Sequence, residues 1–161
     1  MIAQFRDAFD YLLRWEDDPN DSGKVTVDPG GRTRYGIAEK YWGTALPSDF
    51  YTTMSANDAR TFASGFYRNN FWEPLHLGSV EHQFVGEYIL SLAVNLGITQ
   101  VTKWLQLTLN LVEDGIFGAE TLAAVNAAPA QAIGGLFTQA YHFYQTEPAV
   151  YLLGLERRAK G

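Results

Sequence analysis

The sequence predicts one mostly α-helical domain that carries a single small β-hairpin. Apolar residues recur at helical spacing in several long segments, whereas the stretch 17–37 combines turn residues with short β-branched runs. The length of 161 residues and the hydrophobic content of 47% suit one extensive core. We expect residues 1–84 to form a lobe with the N-terminal helix and the hairpin. Residues 85–161 would form a helical lobe packed against it, so that the two make one compact body.

The N-terminal helix is predicted by an apolar stripe that ends in a carboxylate. Glu16 falls on this stripe, so the helix places a carboxylate on the face that otherwise enters the core. Burial and the negative end of the helix dipole both disfavour the charged form and raise the pKa of Glu16. The direction of this shift suits a general acid. Nearby arginines, Arg14, Arg32 and Arg34, would offset part of it. The stripe consists of Ile2, Phe5, Phe9, Leu12 and Leu13.

The hairpin is predicted by two turns that flank short strand patterns. Residues 18–23 and 28–31 have turn composition, residues 25–27 are β-branched, and residues 32–37 can return as a second strand. Glu16 then lies at the junction of helix and hairpin, with Asp28 and Thr33 presented beyond it. Two carboxylates that flank a cleft are the minimal equipment for hydrolysing a glycosidic bond.

The same stretch resembles the N-terminal motif of a glycosidase family. Glu16 is followed by Asp28-Pro29-Gly30-Gly31-Arg32-Thr33-Arg34-Tyr35-Gly36-Ile37, which is similar to the motif of the N-acetylmuramidases of glycoside hydrolase family 108, enzymes of the phage endolysin type. The resemblance implies a lysozyme-like fold, with a small β-hairpin lobe beside the active-site cleft in residues 1–84. It also implies that Glu16 is the general acid, and that Asp28 and Thr33 are the second carboxylate and the hydroxyl. The expected reaction is hydrolysis of the β-1,4 bond between N-acetylmuramic acid and N-acetylglucosamine in peptidoglycan.

Two features of the stretch depart from the family motif. Asp17-Asp18 stands where the family has Gly-Gly, which makes the entrance to the site more acidic. The segment between Glu16 and Asp28 is about three residues longer than usual, which affects the placement of Asp28.

Candidate sugar-binding residues follow the hairpin and recur in the second half. A short helix is expected over Ile37 to Trp42, and Tyr35, Tyr41 and Trp42 are candidates for stacking on a sugar face. A longer helix is predicted to begin at a capping box from Ser55 to Asp58 and to pass through Phe62, Phe66 and Tyr67, where the aromatic residues favour a core role.

Another helix is predicted over Val85 to Asn95 and ends at Gly97. Its end, Ala93-Val94-Asn95-Leu96-Gly97, resembles a family motif in which an aspartate stands at the position of Ser91. Asn95 is a candidate substrate ligand, because an amide can both donate to and accept from an N-acetyl group.

The remaining segments are predicted to be helical around one tight turn. Helices are expected over Val101 to Leu109, from Pro129 through Tyr144, and from Glu147-Pro148 onward. Leu105-Gln106 together with the turn from Asp114 to Leu122 resembles the predicted peptidoglycan-binding segment that follows the catalytic part in this family. The same residues are also explained by the conformation of a tight turn that leads into a helix. We therefore expect the turn from Asp114 to Leu122 to have a structural role.

Composition limits the partners and the cellular setting. A net charge of −6 argues against unaided nucleic-acid binding. No apolar run is long enough to span a membrane, and the N-terminal helix is too polar for a signal peptide. We therefore expect a monomer that is made in the cytoplasm and reaches the peptidoglycan through a holin, a secretion channel or a virion. The absence of cysteine is compatible with a reducing compartment.

No cofactor or metal is expected. The three histidines, His76, His82 and His142, lack metal-ligand spacing. Residues 18–29 imitate the first half of a calcium-binding loop, but Pro29 stands at the twelfth position, where a bidentate glutamate is needed. Two alternatives to the muramidase stay open: an inactive peptidoglycan-binding module, and a lytic transglycosylase, which needs the acid but no second carboxylate.

Overall fold

A computed structural model describes residues 2–16, 23–28 and 31–146 and confirms the predicted fold class. Within these residues, α-helices form most of the structure and one three-stranded antiparallel sheet accompanies them. The helices are α1 (Phe5–Glu16), α2 (Glu39–Trp42), α3 (Ala56–Tyr67), α4 (Gln83–Leu96), α5 (Ile98–Thr108), α6 (Ala119–Ala127) and α7 (Pro129–Thr146). The strands are β1 (Thr26–Asp28), β2 (Gly31–Arg34) and β3 (Ile37–Ala38). The final helix predicted from Glu147-Pro148 lies outside the described residues.

Helices α1 and α4 lie side by side and run in the same direction. At their N-terminal ends, the backbone N–H of Gln4 donates to Gln83 Oε1 over 2.6 Å. At their C-terminal ends, Asn95 Nδ2 donates to Glu16 Oε1 over 3.3 Å. The predicted stripe of α1 is buried from Phe5 to Leu13, whereas Ile2 is exposed. The packing therefore brings the C-terminal ends of two helices to one place.

The sheet contains one more strand than the sequence predicted. The expected strand over residues 32–37 is divided into β2 and β3 by a two-residue turn, Tyr35-Gly36, and Arg34 pairs with Ile37 across it. Both turn residues have positive φ, 49° for Tyr35 and 75° for Gly36, as a type I′ hairpin requires. The chain therefore reverses at Gly36, and the short helix α2 begins only at Glu39.

Helix α3 begins as predicted and continues into a π-helical turn. The backbone N–H of Asp58 donates to Ser55 Oγ over 3.1 Å, which confirms the predicted N-cap. After Tyr67 the helix widens over Arg68–Trp72, where the N–H of Glu73 bonds to the carbonyl of Arg68. Phe66 and Tyr67 are buried, which confirms their predicted core role, whereas Phe62 is 44% exposed and the prediction is wrong for this residue.

The second half of the chain packs onto α4. Helix α5 packs against α4 and α7, α6 packs against α5 and α7, and α7 also contacts α4. The buried residues of α1, α3 and α4–α7 belong to one hydrophobic cluster. In the described part of the chain, we find no helix that is long and apolar enough to cross a membrane.

Candidate active site

Glu16 is the last residue of α1 and lies half-buried between α4 and the hairpin. Its carboxylate accepts a hydrogen bond from Asn95. Its side-chain carbons face the Tyr35-Gly36 turn, since a Cβ built on Gly36 would lie 2.6 Å from Glu16 Cβ. Glu16 is therefore held on two sides, by an amide from α4 and by the backbone of the hairpin.

Asn95 connects the candidate acid to the rest of α4. Its side-chain nitrogen also donates to the Ser91 carbonyl one turn earlier, over 2.7 Å. Both hydrogens of the amide group are thus engaged, one with the helix backbone and one with the glutamate. This arrangement fixes the Asn95 side chain next to Glu16. The structure therefore brings these two predicted site residues together, although 79 positions separate them.

The Tyr35-Gly36 turn can approach Glu16 because residue 36 has no side chain. A Cβ on Gly36 would lie 2.8 Å from the hydroxyl oxygen of Tyr67, in addition to its overlap with Glu16. Tyr67 is buried in α3, and its hydroxyl donates to the carbonyl of Tyr35 over 2.9 Å. Tyr67 therefore anchors the turn that abuts the candidate acid.

Sequence analysis identified Tyr67 only as a core residue. Helical periodicity predicts that the Tyr67 ring is buried. The same pattern does not predict that the Tyr67 hydroxyl bonds to a turn far away in the sequence. A glycine in the family motif is compatible with a close backbone approach, but the sequence does not indicate which element would approach it.

Thr33 and Asp28 lie on adjacent strands of the sheet. Thr33 occupies the central strand, β2, opposite Thr26 of β1 and Ala38 of β3. Side chains alternate along a strand, so Thr33 projects from the face opposite to Arg32 and Arg34. Asp28 is the last residue of β1, and its Cα pairs with that of Gly31. The side chain of Asp28 lies outside the description.

Arg34 fixes the hairpin to the segment that precedes α3. Its buried guanidinium donates to the backbone carbonyls of Gly23, Phe50 and Met54, at 2.7, 2.7 and 3.0 Å. A buried charge is tolerated there because several carbonyl dipoles satisfy its donors. Arg34 therefore supports the position of the strand that contains Thr33.

Arg32 forms a bidentate ion pair with Glu39 at the start of α2. The two hydrogen bonds measure 2.7 Å from Nε and 2.5 Å from Nη2. The hydrogen bonds lower the pKa of the Glu39 carboxyl and raise the pKa of Arg32. Burial raises the pKa of the neighbouring Tyr51 to about 12, and its hydroxyl donates to the Ile37 carbonyl. Arg32 and Arg34 thus both have partners other than Glu16.

The three aromatic residues predicted to stack on sugar have different environments. Tyr35 is only 3% exposed, and its hydroxyl donates to the Ala56 carbonyl over 2.8 Å, so its ring offers no free face and the predicted stacking role does not fit. Trp42 is half-buried, with its ring 4.9 Å from that of Phe66. Tyr41 is 73% exposed, beside the ammonium group of Lys40. Of the three, Tyr41 has the most accessible ring.

The turn after α5 is organised by Gln106. This side chain is 3% exposed, and its nitrogen donates to Asp114 Oδ1, to the Ile116 carbonyl and to Thr121 Oγ1. Its oxygen accepts from the N–H of Gly115 over 2.9 Å. The Asp114 carboxylate also accepts from the N–H of Ile116, which together with Gln106 lowers the pKa of Asp114. Hydrogen bonds within the turn therefore explain why Gln106, Asp114 and Thr121 are polar.

Metal ligation has no support in the described residues. Residues 2–16, 23–28 and 31–146 contain no group of three or more histidine, aspartate or glutamate side chains placed to hold an ion. Half of the partly matching calcium loop at 18–29, namely residues 18–22 and 29, lies outside these ranges.

The fold and the position of Glu16 together define the structural class of this protein. A helical body with a small antiparallel sheet beside a helix-terminal glutamate has the lysozyme-like architecture. The model of the family described as Glycosyl hydrolase 108 matches residues 9–97, more than half of the chain. The chain belongs to this family and is a glycoside hydrolase.

A solved structure supports the fold over nearly the whole chain. SagA of Brucella abortus superposes with a TM-score of 0.72, at 23% sequence identity over 97% of this chain and 88% of that chain. At this identity the likeness shows the fold. No curated protein matches the chain.

Proposed function

We propose that this glycoside hydrolase cleaves peptidoglycan at the β-1,4 bond between N-acetylmuramic acid and N-acetylglucosamine. The observation that carries the proposal is the position of Glu16, a half-buried carboxylate held by Asn95 and enclosed by the Tyr35-Gly36 turn. A helix-terminal carboxylate between the sheet and the helical body is suitably positioned to act as a proton donor. The matched family supplies the reaction type.

In the proposed mechanism, Glu16 protonates the glycosidic oxygen as the bond to the leaving sugar breaks. The hydrogen bond from Asn95 orients the carboxyl group, because the amide is itself fixed to the α4 backbone. The Asn95 carbonyl oxygen would accept from the N–H of an acetamido group. The sugar ring then acquires oxocarbenium-like character, which a second carboxylate stabilises.

Asp28 is proposed as that second carboxylate, and Thr33 as the hydroxyl that positions water. Their strands are adjacent, and the hairpin reaches Glu16 through Gly36. Asp28 would either activate the attacking water or stabilise the charge on the ring. Tyr41, whose ring is exposed, is proposed to stack on a sugar ring of the substrate.

The charge balance of the chain bears on its substrate. Peptidoglycan is itself acidic and the chain has a net charge of −6, so long-range attraction does not bring the two together. Binding must therefore depend on short-range contacts in the cleft. We propose that the protein acts as a monomer on the bacterial cell wall, outside the cytoplasm.

Glu16→Gln tests the proposed acid. The amide keeps the volume and the contact with Asn95 but cannot donate the required proton, so turnover of purified peptidoglycan should fall at least about a hundredfold. The melting temperature should stay within a few degrees of the parent. Glu120→Gln, at an exposed position in the first turn of α6, is the matched control and should retain full turnover. Lysis by Glu16→Gln within a few fold of the parent would refute the assignment.

The products distinguish hydrolysis from the two alternatives. Hydrolysis leaves free reducing ends, and Asp28→Asn should then depress turnover strongly. Mass spectra dominated by anhydro-muropeptides, with Asp28→Asn fully active, would indicate a lytic transglycosylase. Pelleting with insoluble peptidoglycan, without any soluble product, would indicate a binding module.

A further inference from the structure

A groove opens between the turn that follows α2 and the C-terminal half of α3. Its volume is about 360 Å³, which is in the range of small-ligand sites. The apolar lining includes Leu46, Phe62 and Phe66, and Phe62 is 44% exposed. Trp42 supports this wall, because its ring packs edge-on against Phe66. The groove therefore offers an aromatic surface that a rigid second layer holds in place.

Gly65 keeps this groove open at a cost to its own helix. It lines the groove within α3, and a Cβ built on it would find no atom within 4 Å. Neither a close contact nor a left-handed backbone requires glycine at this position. A helix with glycine in its interior is less stable than the same helix with alanine. Glycine at residue 65 therefore lowers the stability of α3 and leaves the groove unobstructed. A larger side chain at residue 65 would project into the groove and reduce its volume.

Two amide side chains lie where α3 widens into its π-helical turn. Asn69 and Asn70 both line the groove and belong to the turn Arg68–Trp72. Asn70 Nδ2 donates to the Phe66 carbonyl over 2.8 Å, which fixes its amide. Within the described residues, the Asn69 amide forms no hydrogen bond. Single π-helical turns are often found at functional positions.

The chemistry of the groove selects a neutral N-acetylated sugar. None of its eight lining residues, all within the described chain, carries a charged side chain. An acetamido group matches the mixed lining, since its methyl group packs on apolar surface while its amide pairs with an asparagine. N-acetylmuramic acid would bring a carboxylate as the free sugar, or the bulky and acidic peptide stem within the strand, to a site without a cation. We propose that the groove binds an N-acetylglucosamine residue of the glycan strand.

This inference rests on the proposed function, because it takes the glycan strand of peptidoglycan as the ligand. It extends the contact with substrate beyond Glu16 to the face of α3. It also assigns a role to Phe62, Gly65 and Asn69, which are otherwise unexplained.

The test measures binding without catalysis. Isotope-labelled Glu16→Gln protein is titrated with the trimer of N-acetylglucosamine, and backbone amide shifts are followed by NMR. Saturable shifts should appear at residues 61–70. Glucose, which lacks the acetamido group, and N-acetylmuramic acid should each bind more weakly than N-acetylglucosamine. Equal affinity for glucose would overturn the proposed recognition of the acetamido group.

A matched pair of glycine variants tests the position of the ligand. Gly65→Leu fills the groove at an exposed helix position and should weaken trimer binding by about tenfold or more, as excess bulk does in a fitted pocket. Gly134→Leu makes the same change in α7, where a Cβ also meets open space, and should leave binding unchanged. Both variants should keep or raise the melting temperature. Asn69→Ala should weaken binding without a change in stability.

The outcomes separate the groove from the catalytic proposal. Parental affinity in Gly65→Leu would refute the groove, whereas full lysis by Glu16→Gln would refute the proposed function. Shifts confined to residues around Asn95 would place the sugar at the catalytic site alone and would also refute the groove.

Discussion

Gly36 determines how closely the hairpin approaches the candidate acid. It combines a left-handed φ of 75° with a position at which any Cβ would overlap both Glu16 and Tyr67. Backbone strain and steric overlap therefore act at the same residue. The shape of the site therefore depends on the absence of a side chain at residue 36.

Gly36→Ala should reduce both stability and turnover. Relief of the overlap requires the turn, Glu16 or Tyr67 to move, so we expect a loss on the order of 1–3 kcal/mol in the free energy of unfolding. Turnover per folded molecule should fall at least tenfold, because a displaced acid no longer meets the glycosidic oxygen. Chemical denaturation and a peptidoglycan digest measure the two effects.

Gly97→Ala measures the cost of backbone strain without any overlap. Gly97 has a φ of 87°, and no atom lies within 4 Å of the position of its Cβ. Its ψ of 148° places it in a region that is almost restricted to glycine, so this variant gives an upper bound for strain alone. Parental turnover per folded molecule in Gly36→Ala would show that the close approach is unimportant for the site.

At the residue level, sequence analysis predicted candidates but not their contacts. Glu16 follows from the apolar stripe and Asn95 from the family resemblance, yet their hydrogen bond joins elements 79 residues apart. No local pattern predicts such a contact. Tyr35 was expected to be exposed because it lies near the hairpin, but the ring is buried against the start of α3 and bonds to Ala56.

The helices are the best-predicted elements of this protein. Apolar periodicity located α1, α3, α4, α5 and α7, and the Ser55 cap was predicted from local chemistry that does not depend on the remaining chain. The sheet was only partly predicted. Residues 32–37 were expected to form one strand, but the Tyr35-Gly36 turn divides them into two. The π-helical turn has no sequence signature of its own.

Gln106 should control the stability of the turn between α5 and α6. Gln106→Leu leaves Asp114, the N–H of Gly115 and Thr121 without their shared partner, at an expected cost of about 1–3 kcal/mol in the free energy of unfolding. Gln100→Leu, at an exposed position of the same helix, should change stability little. Thermal melts of the two variants measure the difference.

The same variant shows whether this turn also binds peptidoglycan. In a Glu16→Gln background, which prevents digestion, Gln106→Leu should pellet with insoluble peptidoglycan as its parent does at a temperature where both are folded. Reduced pelleting at unchanged stability would instead support the binding segment implied by the family resemblance.

For the molecule as a whole, length and hydrophobic content predicted one core, and apolar periodicity predicted that the body around it is mainly helical. The buried residues of both predicted lobes form one cluster, so the helices from 83 onward are a structural support for the hairpin region. The direction of α1 relative to α4 was not predictable, because an apolar stripe specifies which face is buried and not which way the neighbouring helix runs.

The parallel pairing of α1 and α4 has a consequence for folding. Its two terminal hydrogen bonds each join residues 79 positions apart, so forming either of them closes a long loop of the chain. Closing a loop of that length costs on the order of 4 kcal/mol of chain entropy. Hydrophobic contacts along the whole helix pair must supply this free energy, since two hydrogen bonds cannot. A nascent chain that has not yet reached Asn95 therefore contains Glu16 without the hydrogen bond that completes the candidate site.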